Sequence, residues 1–149
     1  MAKVRITKEF HFEMAHALMN YDGKCRNIHG HSYRLFVTII GEPISEINHV
    51  KLGMLMDFGD LKNIVKTQIV DVLDHALLLN AKQPIEELQA AMAMFERCEY
   101  VNYQPTCENM VIDFAERIQN FLDLSVKLHS IKLYETATSY AEWFASDNG

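Results

Sequence analysis

Two histidines separated by one residue stand directly before the most strand-like stretch of this sequence. His29-Gly30-His31 leads into residues 33–40, which are rich in β-branched and aromatic residues and therefore favour a β-strand. Because side chains alternate across a strand, both imidazoles lie on one face, with only Gly30 between them. Such a pair suits the beginning of a zinc site, although two exposed strand histidines would give the same pattern.

A third histidine is added by the strand that precedes this pair. Residues 3–18 predict a first strand whose largely apolar face continues to His16. If a turn at residues 20–24 joins the two strands as an antiparallel hairpin, His16 comes close to His29 and His31. Three converging imidazoles leave a fourth position open, as in catalytic zinc sites. Taken alone, His16 would more often be a hydrogen-bonded core residue.

The middle of the chain predicts two helices. Asp60 is a plausible N-cap for a helix whose apolar stripe extends over residues 61–73. A second, shorter helix is predicted over residues 84–95, with Pro84 at its first position.

The last third predicts a strand, a helix and a final strand. The strand covers residues 97–103, and Thr106 caps a helix whose apolar face includes residues 111–122. The final strand spans about residues 130–140 and carries Glu135 on the same face as apolar side chains. The order of elements indicates an α+β fold with an antiparallel sheet.

Length and composition exclude several classes of function. The 149 residues are most simply one domain, residues 1–149, and the net charge of −6 without a basic block argues against nucleic-acid binding. No apolar run reaches the length of a membrane span, and from the composition of residues 1–5 we expect no signal peptide. Three cysteines form no paired framework, so we expect reduced thiols in a cytoplasmic protein.

Two acidic positions have an ordinary and a chemical interpretation. Asp74 stands beside His75 at the predicted end of the first helix. Such a dipeptide is usually a terminal charge pair, but it can also orient an imidazole that moves protons. For Glu135, a solvated or salt-bridged edge carboxylate is the better explanation from residue type alone.

Six short motifs, in this order, resemble those of the 6-pyruvoyltetrahydropterin synthase family. They extend from residue 12 to residue 136. The motifs are Phe12-x-x-x-His16, Cys25-x-x-x-His29-Gly30-His31, Asp57-Phe58, Leu73-Asp74-His75, Pro105-Thr106-x-Glu108-Asn109 and Glu135-Thr136. The spacing between the cysteine and the first histidine of the pair is similar to that of the bacterial branch, the 6-carboxytetrahydropterin synthases of queuosine biosynthesis.

This resemblance implies a fold, an assembly and a metal. The fold is the tunnelling fold, here with a four-stranded antiparallel sheet and helices packed on one face. Subunits of this fold associate through their sheets into rings, often stacked as a hexamer. By the same resemblance Zn²⁺ is held by His16, His29 and His31, and Cys25 is the catalytic thiol.

The resemblance also implies a substrate and the residues that contact it. The substrate is 7,8-dihydroneopterin triphosphate, which would lose triphosphate and acetaldehyde to give 6-carboxytetrahydropterin. Asp74 and His75 support the thiol from a neighbouring subunit, and Glu135 anchors the pterin with Thr106 and Glu108 nearby. Two alternatives stay open: a synthase with a 6-pyruvoyl product, and a catalytically silent protein that binds zinc or a pterin.

Overall fold

The computed structural model describes residues 2–149, and its centre is a six-stranded mixed sheet. The strand order across the sheet is β4-β3-β1-β2-β5-β6. Strand β3 runs parallel to β1 and to β4, and the other neighbouring pairs are antiparallel. The strands are β1 (Val4–His16), β2 (His29–Gly41), β3 (Ala76–Asn80), β4 (Cys98–Val101), β5 (Val126–Tyr134) and β6 (Tyr140–Phe144).

The hairpin of β1 and β2 is the longest feature of the sheet, with 13 residues in each strand. Its register places His16 opposite His29 and Met14 opposite His31. In β2 every second residue from Tyr33 onwards is buried, which is the alternation expected of a strand with one face on the core. The predicted hairpin is therefore confirmed, and with it the approach of the three histidines.

Helices cover the sheet face that carries the large core. The helices are α1 (Phe58–Val65), which continues through a π-helical turn (Lys66–Val70) into α2 (Asp71–Leu73), then α3 (Ile85–Met94) and α4 (Cys107–Gln119). Side chains of α1, α2 and α4 pack with those of β1, β2 and β5 in one cluster, whereas α3 packs with Leu77 and Leu79 in a smaller one. None of the described helices is long and apolar enough to span a membrane.

Thr106 caps α4 as predicted, because its hydroxyl accepts a hydrogen bond from the Asn109 amide at 3.2 Å. The predicted cap of the first helix is wrong. Asp57, not Asp60, is the N-cap of α1, and its Oδ1 accepts a hydrogen bond from the Gly59 amide at 2.6 Å. Asp60 lies in the first turn instead, where a carboxylate is still favoured by the helix dipole.

The sheet has more strands than the sequence predicted. Six strands replace the expected four, and the parallel pairings of β3 make the sheet mixed. Strand β3 was not predicted, because all five of its residues are buried and its run of leucines has no alternation to indicate a strand. The single final strand expected at residues 130–140 is two strands, β5 and β6, joined by a turn that begins at Glu135. Pro84 is the N-cap of α3 and not its first residue.

Candidate metal centre and active site

Three histidines converge where β1 ends and β2 begins. His16 is the last residue of β1, and His29 and His31 are the first and third residues of β2. One ring nitrogen of each histidine lies within 4.8 Å of those of the other two. The sequence-based expectation that these side chains come together is thus confirmed, and they form a candidate metal centre.

Backbone carbonyl groups determine which ring nitrogen of two histidines carries the proton. His16 Nδ1 lies 2.7 Å from the carbonyl oxygen of Pro105, and His29 Nδ1 lies 2.7 Å from that of Asn27. A carbonyl can only accept, so each Nδ1 donates its proton and each Nε2 keeps a free lone pair. The two Nε2 atoms are 3.0 Å apart. Two lone pairs at this distance repel each other unless a cation lies between them, so the donor set fits a metal ion.

The environment favours neutral imidazoles. Burial lowers the pKa of His16 to about 4, and this outweighs the hydrogen bond to the Pro105 carbonyl, which raises it; positive charge on His29 and His31 lowers it further. Burial also lowers the pKa of His31, more than the nearby Glu135 carboxylate raises it. Neutral imidazole is the form that binds metals, so these side chains are ready to act as ligands at neutral pH.

Glu135 places a carboxylate against the histidines. Its Oε1 lies 3.5 Å from His16 Nε2 and 3.7 Å from His31 Nε2. The backbone position is fixed just after β5, where the Glu135 amide donates to the Ser139 carbonyl at 3.0 Å. The side chain is 27% exposed, so it can be reached from solvent.

Glu135 also lines a cavity of about 460 Å³. The residues that line it are Cys107, Glu108, Glu135, Ser139, Tyr140, Ala141 and Glu142. This volume lies within the usual range for small-molecule sites. Of the residues expected near the substrate, Glu108 and Glu135 thus share one cavity, whereas the Thr106 hydroxyl is used to cap α4.

Tyr33 lies beside His16 and His31 and was not predicted as part of the site. It is 1% exposed, and its ring packs edge-on against His16 and His31. Its hydroxyl has no hydrogen-bond partner among residues 2–149. Burial raises the pKa of Tyr33, and the nearby Glu135 charge raises it further. The alternation that grouped His29 with His31 would also have placed Tyr33 on the same face, so the signal was present in the sequence.

Cys25 lies outside the group of three histidines. It belongs to a 3₁₀ turn, Lys24–Arg26, in the loop between β1 and β2, and its side chain is half-buried. The Cys25 carbonyl accepts a hydrogen bond from the Leu18 amide at 2.9 Å, which holds the turn against the end of β1. This loop also joins the strands that carry the histidines.

Asp74 and His75 form the expected pair at the end of α2. Asp74 Oδ1 lies 3.1 Å from His75 Nδ1 and accepts the Glu13 amide at 2.9 Å. Burial raises the pKa of Asp74, but this hydrogen bond and the neighbouring His75 and Arg97 outweigh it and lower the pKa overall. His75 has a left-handed backbone with φ of 62° and a side chain that is 74% exposed. Such a conformation is uncommon outside glycine and is often found at functional sites.

A second cavity lies beside this pair. Its volume is about 530 Å³, and its lining includes Glu13, His31, Ser32, His75 and Arg97. One member of the metal centre and the exposed His75 therefore border the same space within one chain. Arg97 holds the end of α2 in place by donating to the carbonyl groups of Asp74 and Asp71 at 2.7 and 2.6 Å.

The sequence profile of the family 6-pyruvoyl tetrahydropterin synthase matches residues 5–146 of this chain. The chain belongs to this family. The 6-carboxy-5,6,7,8-tetrahydropterin synthase of Haemophilus influenzae is 38% identical over 141 residues, which cover 93% of this chain and 97% of the relative. The protein of the same name from Rickettsia typhi is 31% identical, with 93% and 99% covered. The predicted pterin synthase family is confirmed.

Solved structures, one of them a pterin synthase, share the fold. An uncharacterized protein from Wolinella succinogenes superimposes with a TM-score of 0.78 at 20% identity, covering 97% of this chain and 99% of that chain. The 6-pyruvoyl tetrahydropterin synthase of Caenorhabditis elegans gives a TM-score of 0.68 at 23% identity, with 97% of each chain covered. The predicted tunnelling fold is therefore confirmed, with six strands where four were expected.

Proposed function

We propose that this pterin synthase is a zinc-dependent 6-carboxy-5,6,7,8-tetrahydropterin synthase of queuosine biosynthesis. It would convert 7,8-dihydroneopterin triphosphate to 6-carboxytetrahydropterin, with release of triphosphate and acetaldehyde. The observation that carries the proposal is a group of three histidines beside a carboxylate, and the residue with this carboxylate also lines a cavity. In two of the histidines, hydrogen bonds from Nδ1 to backbone carbonyls leave Nε2 free to bind a metal. The names of the Haemophilus influenzae and Rickettsia typhi relatives support the carboxy product.

Glu135 is the residue that would recognise the pterin ring. A 2-amino-4-oxopterin presents adjacent N–H donors. One carboxylate can accept hydrogen bonds from two of them, just as it accepts two parallel hydrogen bonds from the guanidinium group of an arginine. Glu135 and Glu108 both line the cavity of about 460 Å³. We propose that the pterin ring binds in this cavity and that the side chain of the substrate points toward the histidines.

His16, His29 and His31 would hold Zn²⁺. A bound Zn²⁺ supplies Lewis-acid chemistry, which lowers the pKa of hydroxyl groups on the substrate side chain. The carbonyl groups of Pro105 and Asn27 keep the Nε2 atoms of His16 and His29 available as ligands. Imidazole ligands favour zinc without excluding other divalent transition metals.

Cys25 is the proposed general base. Its loop joins the two strands that carry the histidines, and its thiol would remove a proton from the substrate side chain. His75, oriented by the Asp74 carboxylate at 3.1 Å, would return protons to the substrate. Since Cys25 must remain reduced for this role, we place the reaction in the cytoplasm.

A homo-oligomer, which we expect to be a hexamer, would complete the site. The exposed side chain of His75 is available to a second copy of the chain. The sheet also ends in two short strands, β4 and β6, whose outer backbone groups are not paired within the described residues. Open edges of this kind are commonly covered by another subunit.

Product identification by mass spectrometry tests the proposed function. The purified zinc-loaded protein should convert 7,8-dihydroneopterin triphosphate to 6-carboxytetrahydropterin and acetaldehyde. A pyruvoyl product with its side chain intact would assign the chain to the other activity in its family. Binding of zinc and pterin without any turnover would identify a silent binding protein and refute the enzymatic proposal.

A further inference from the structure

We propose that Glu135 is a fourth ligand of the metal in the substrate-free protein. We further propose that this carboxylate leaves the metal when a pterin ring binds. The second step rests on the proposed function, whereas the first requires only that His16, His29 and His31 hold a divalent cation.

Distances between donor atoms carry the first step. In a tetrahedral zinc site with bonds of about 2.0–2.1 Å, neighbouring ligand atoms are about 3.3–3.4 Å apart. Glu135 Oε1 lies 3.5 Å from His16 Nε2 and 3.7 Å from His31 Nε2, and His16 Nε2 lies 3.0 Å from His29 Nε2. These three separations are within 0.4 Å of the tetrahedral value. The carboxylate oxygen lies beside His16 and His31, outside the group that the three histidines form with one another, so a small shift toward His29 would bring it to a fourth-ligand position.

A hydrogen bond does not explain the contact between Glu135 and His16. The Nδ1 proton of His16 is donated to the Pro105 carbonyl, which leaves Nε2 as an acceptor. A carboxylate oxygen is also an acceptor, and two acceptors at 3.5 Å repel each other. A cation shared by both atoms removes this repulsion, and the carboxylate would reduce the charge of the site from +2 to +1.

The position of Glu135 also allows the second step. Its carboxylate contacts the histidines, and the same residue lines the cavity formed with Cys107, Glu108 and Tyr140. A rotation of the side chain can move the carboxylate from the histidines to the cavity. During this rotation the Glu135 amide remains hydrogen-bonded to the Ser139 carbonyl. The metal would then gain an open coordination position when the substrate arrives. Until then the carboxylate would weaken the metal as a Lewis acid.

Cobalt(II) substitution and metal affinity test the ligand role without any assay of turnover. Glu135→Gln and Glu135→Ala should each still bind one Co²⁺ per chain, with an affinity lowered at least about 10-fold against a chelator. Their visible d–d spectra should differ from the wild-type spectrum because the ligand set has changed. Glu142→Gln is the matched control, since it removes a carboxylate from the wall of the same cavity, and it should leave affinity and spectrum unchanged.

Unchanged affinity and spectrum in both Glu135 variants would overturn the ligand role, and the proposed function would be unaffected. The exchange step is tested with 7,8-dihydropterin, which has no side-chain hydroxyl groups to bind the metal. It should alter the Co²⁺ spectrum of the wild type but not that of Glu135→Ala. A wild-type spectrum that does not respond to saturating 7,8-dihydropterin would refute the exchange.

Discussion

Acidification of the metal-free protein should reveal the burial of His16. Its side chain is 2% exposed, and burial lowers its pKa to about 4 from the ordinary value of 6.5. The folded state therefore keeps His16 neutral in a pH range where the unfolded chain binds a proton. Since the unfolded state binds more protons between about pH 6.5 and about pH 4, the free energy of unfolding falls as the pH is lowered through this window.

The size of the effect follows from the two pKa values. The full difference of about 2.5 units corresponds to about 3.4 kcal/mol, reached only below about pH 4. Between about pH 8 and about pH 4.5 the expected loss from His16 is about 2.5 kcal/mol. With a urea m value of about 2 kcal/mol/M, the unfolding midpoint would move down by about 1.2 M.

Urea titrations of the chelator-treated protein, at one protein concentration, measure this loss. A fixed concentration matters because assembly contributes to apparent stability. The variant His16→Asn keeps a side-chain donor for the Pro105 carbonyl but has no titrating group. Its stability at neutral pH should be lower, but its further loss on acidification should be smaller by about 2.5 kcal/mol. Equal acid losses in the two proteins would refute the assignment of a buried neutral imidazole.

Three further substitutions separate structural from chemical roles. Cys25→Ala should keep the metal and lose about 10²–10⁴ in turnover, measured with metal analysis and a pterin assay; wild-type rates would remove the thiol from the mechanism. Tyr33→Phe removes a buried hydroxyl that has no partner in the described part of the chain, so urea unfolding should show equal or up to about 1 kcal/mol higher stability; a loss above about 1 kcal/mol would show a hidden partner. Thr106→Ala should lower the free energy of unfolding by about 1 kcal/mol through loss of the cap, with recovery in Thr106→Ser. A change in pterin affinity without any change in stability would instead assign Thr106 to the substrate.

The candidate metal centre was predictable because it depends on local geometry. The alternation of β2 placed His29 and His31 together, and the hairpin turn brought His16 opposite them. These two rules involve neighbouring residues and one short loop. Glu135 was different: its residue type favoured a solvated carboxylate, and only the family resemblance placed it near the pterin.

Other parts of the fold depend on contacts that a linear pattern does not encode. Strand β3 is buried on both faces, so its leucines lack the alternation that marks a strand. The choice of Asp57 over Asp60 as the cap of α1 depends on which backbone amide lies within reach of a carboxylate. The Pro105 carbonyl that orients His16 is 89 residues away in sequence and has no side-chain signature.

These distant contacts determine how much of the chain the metal centre requires. The hairpin of β1 and β2 could bring three imidazoles together without the rest of the chain. Only the docked N-terminal end of α4, through Pro105, fixes the tautomer of His16, and only the turn between β5 and β6 supplies Glu135. A ligand that binds the folded state at 100 times its Kd stabilises that state by about 2.7 kcal/mol. Because the donor set joins three separated regions of the chain, this stabilisation would apply to the whole domain and not to the hairpin alone.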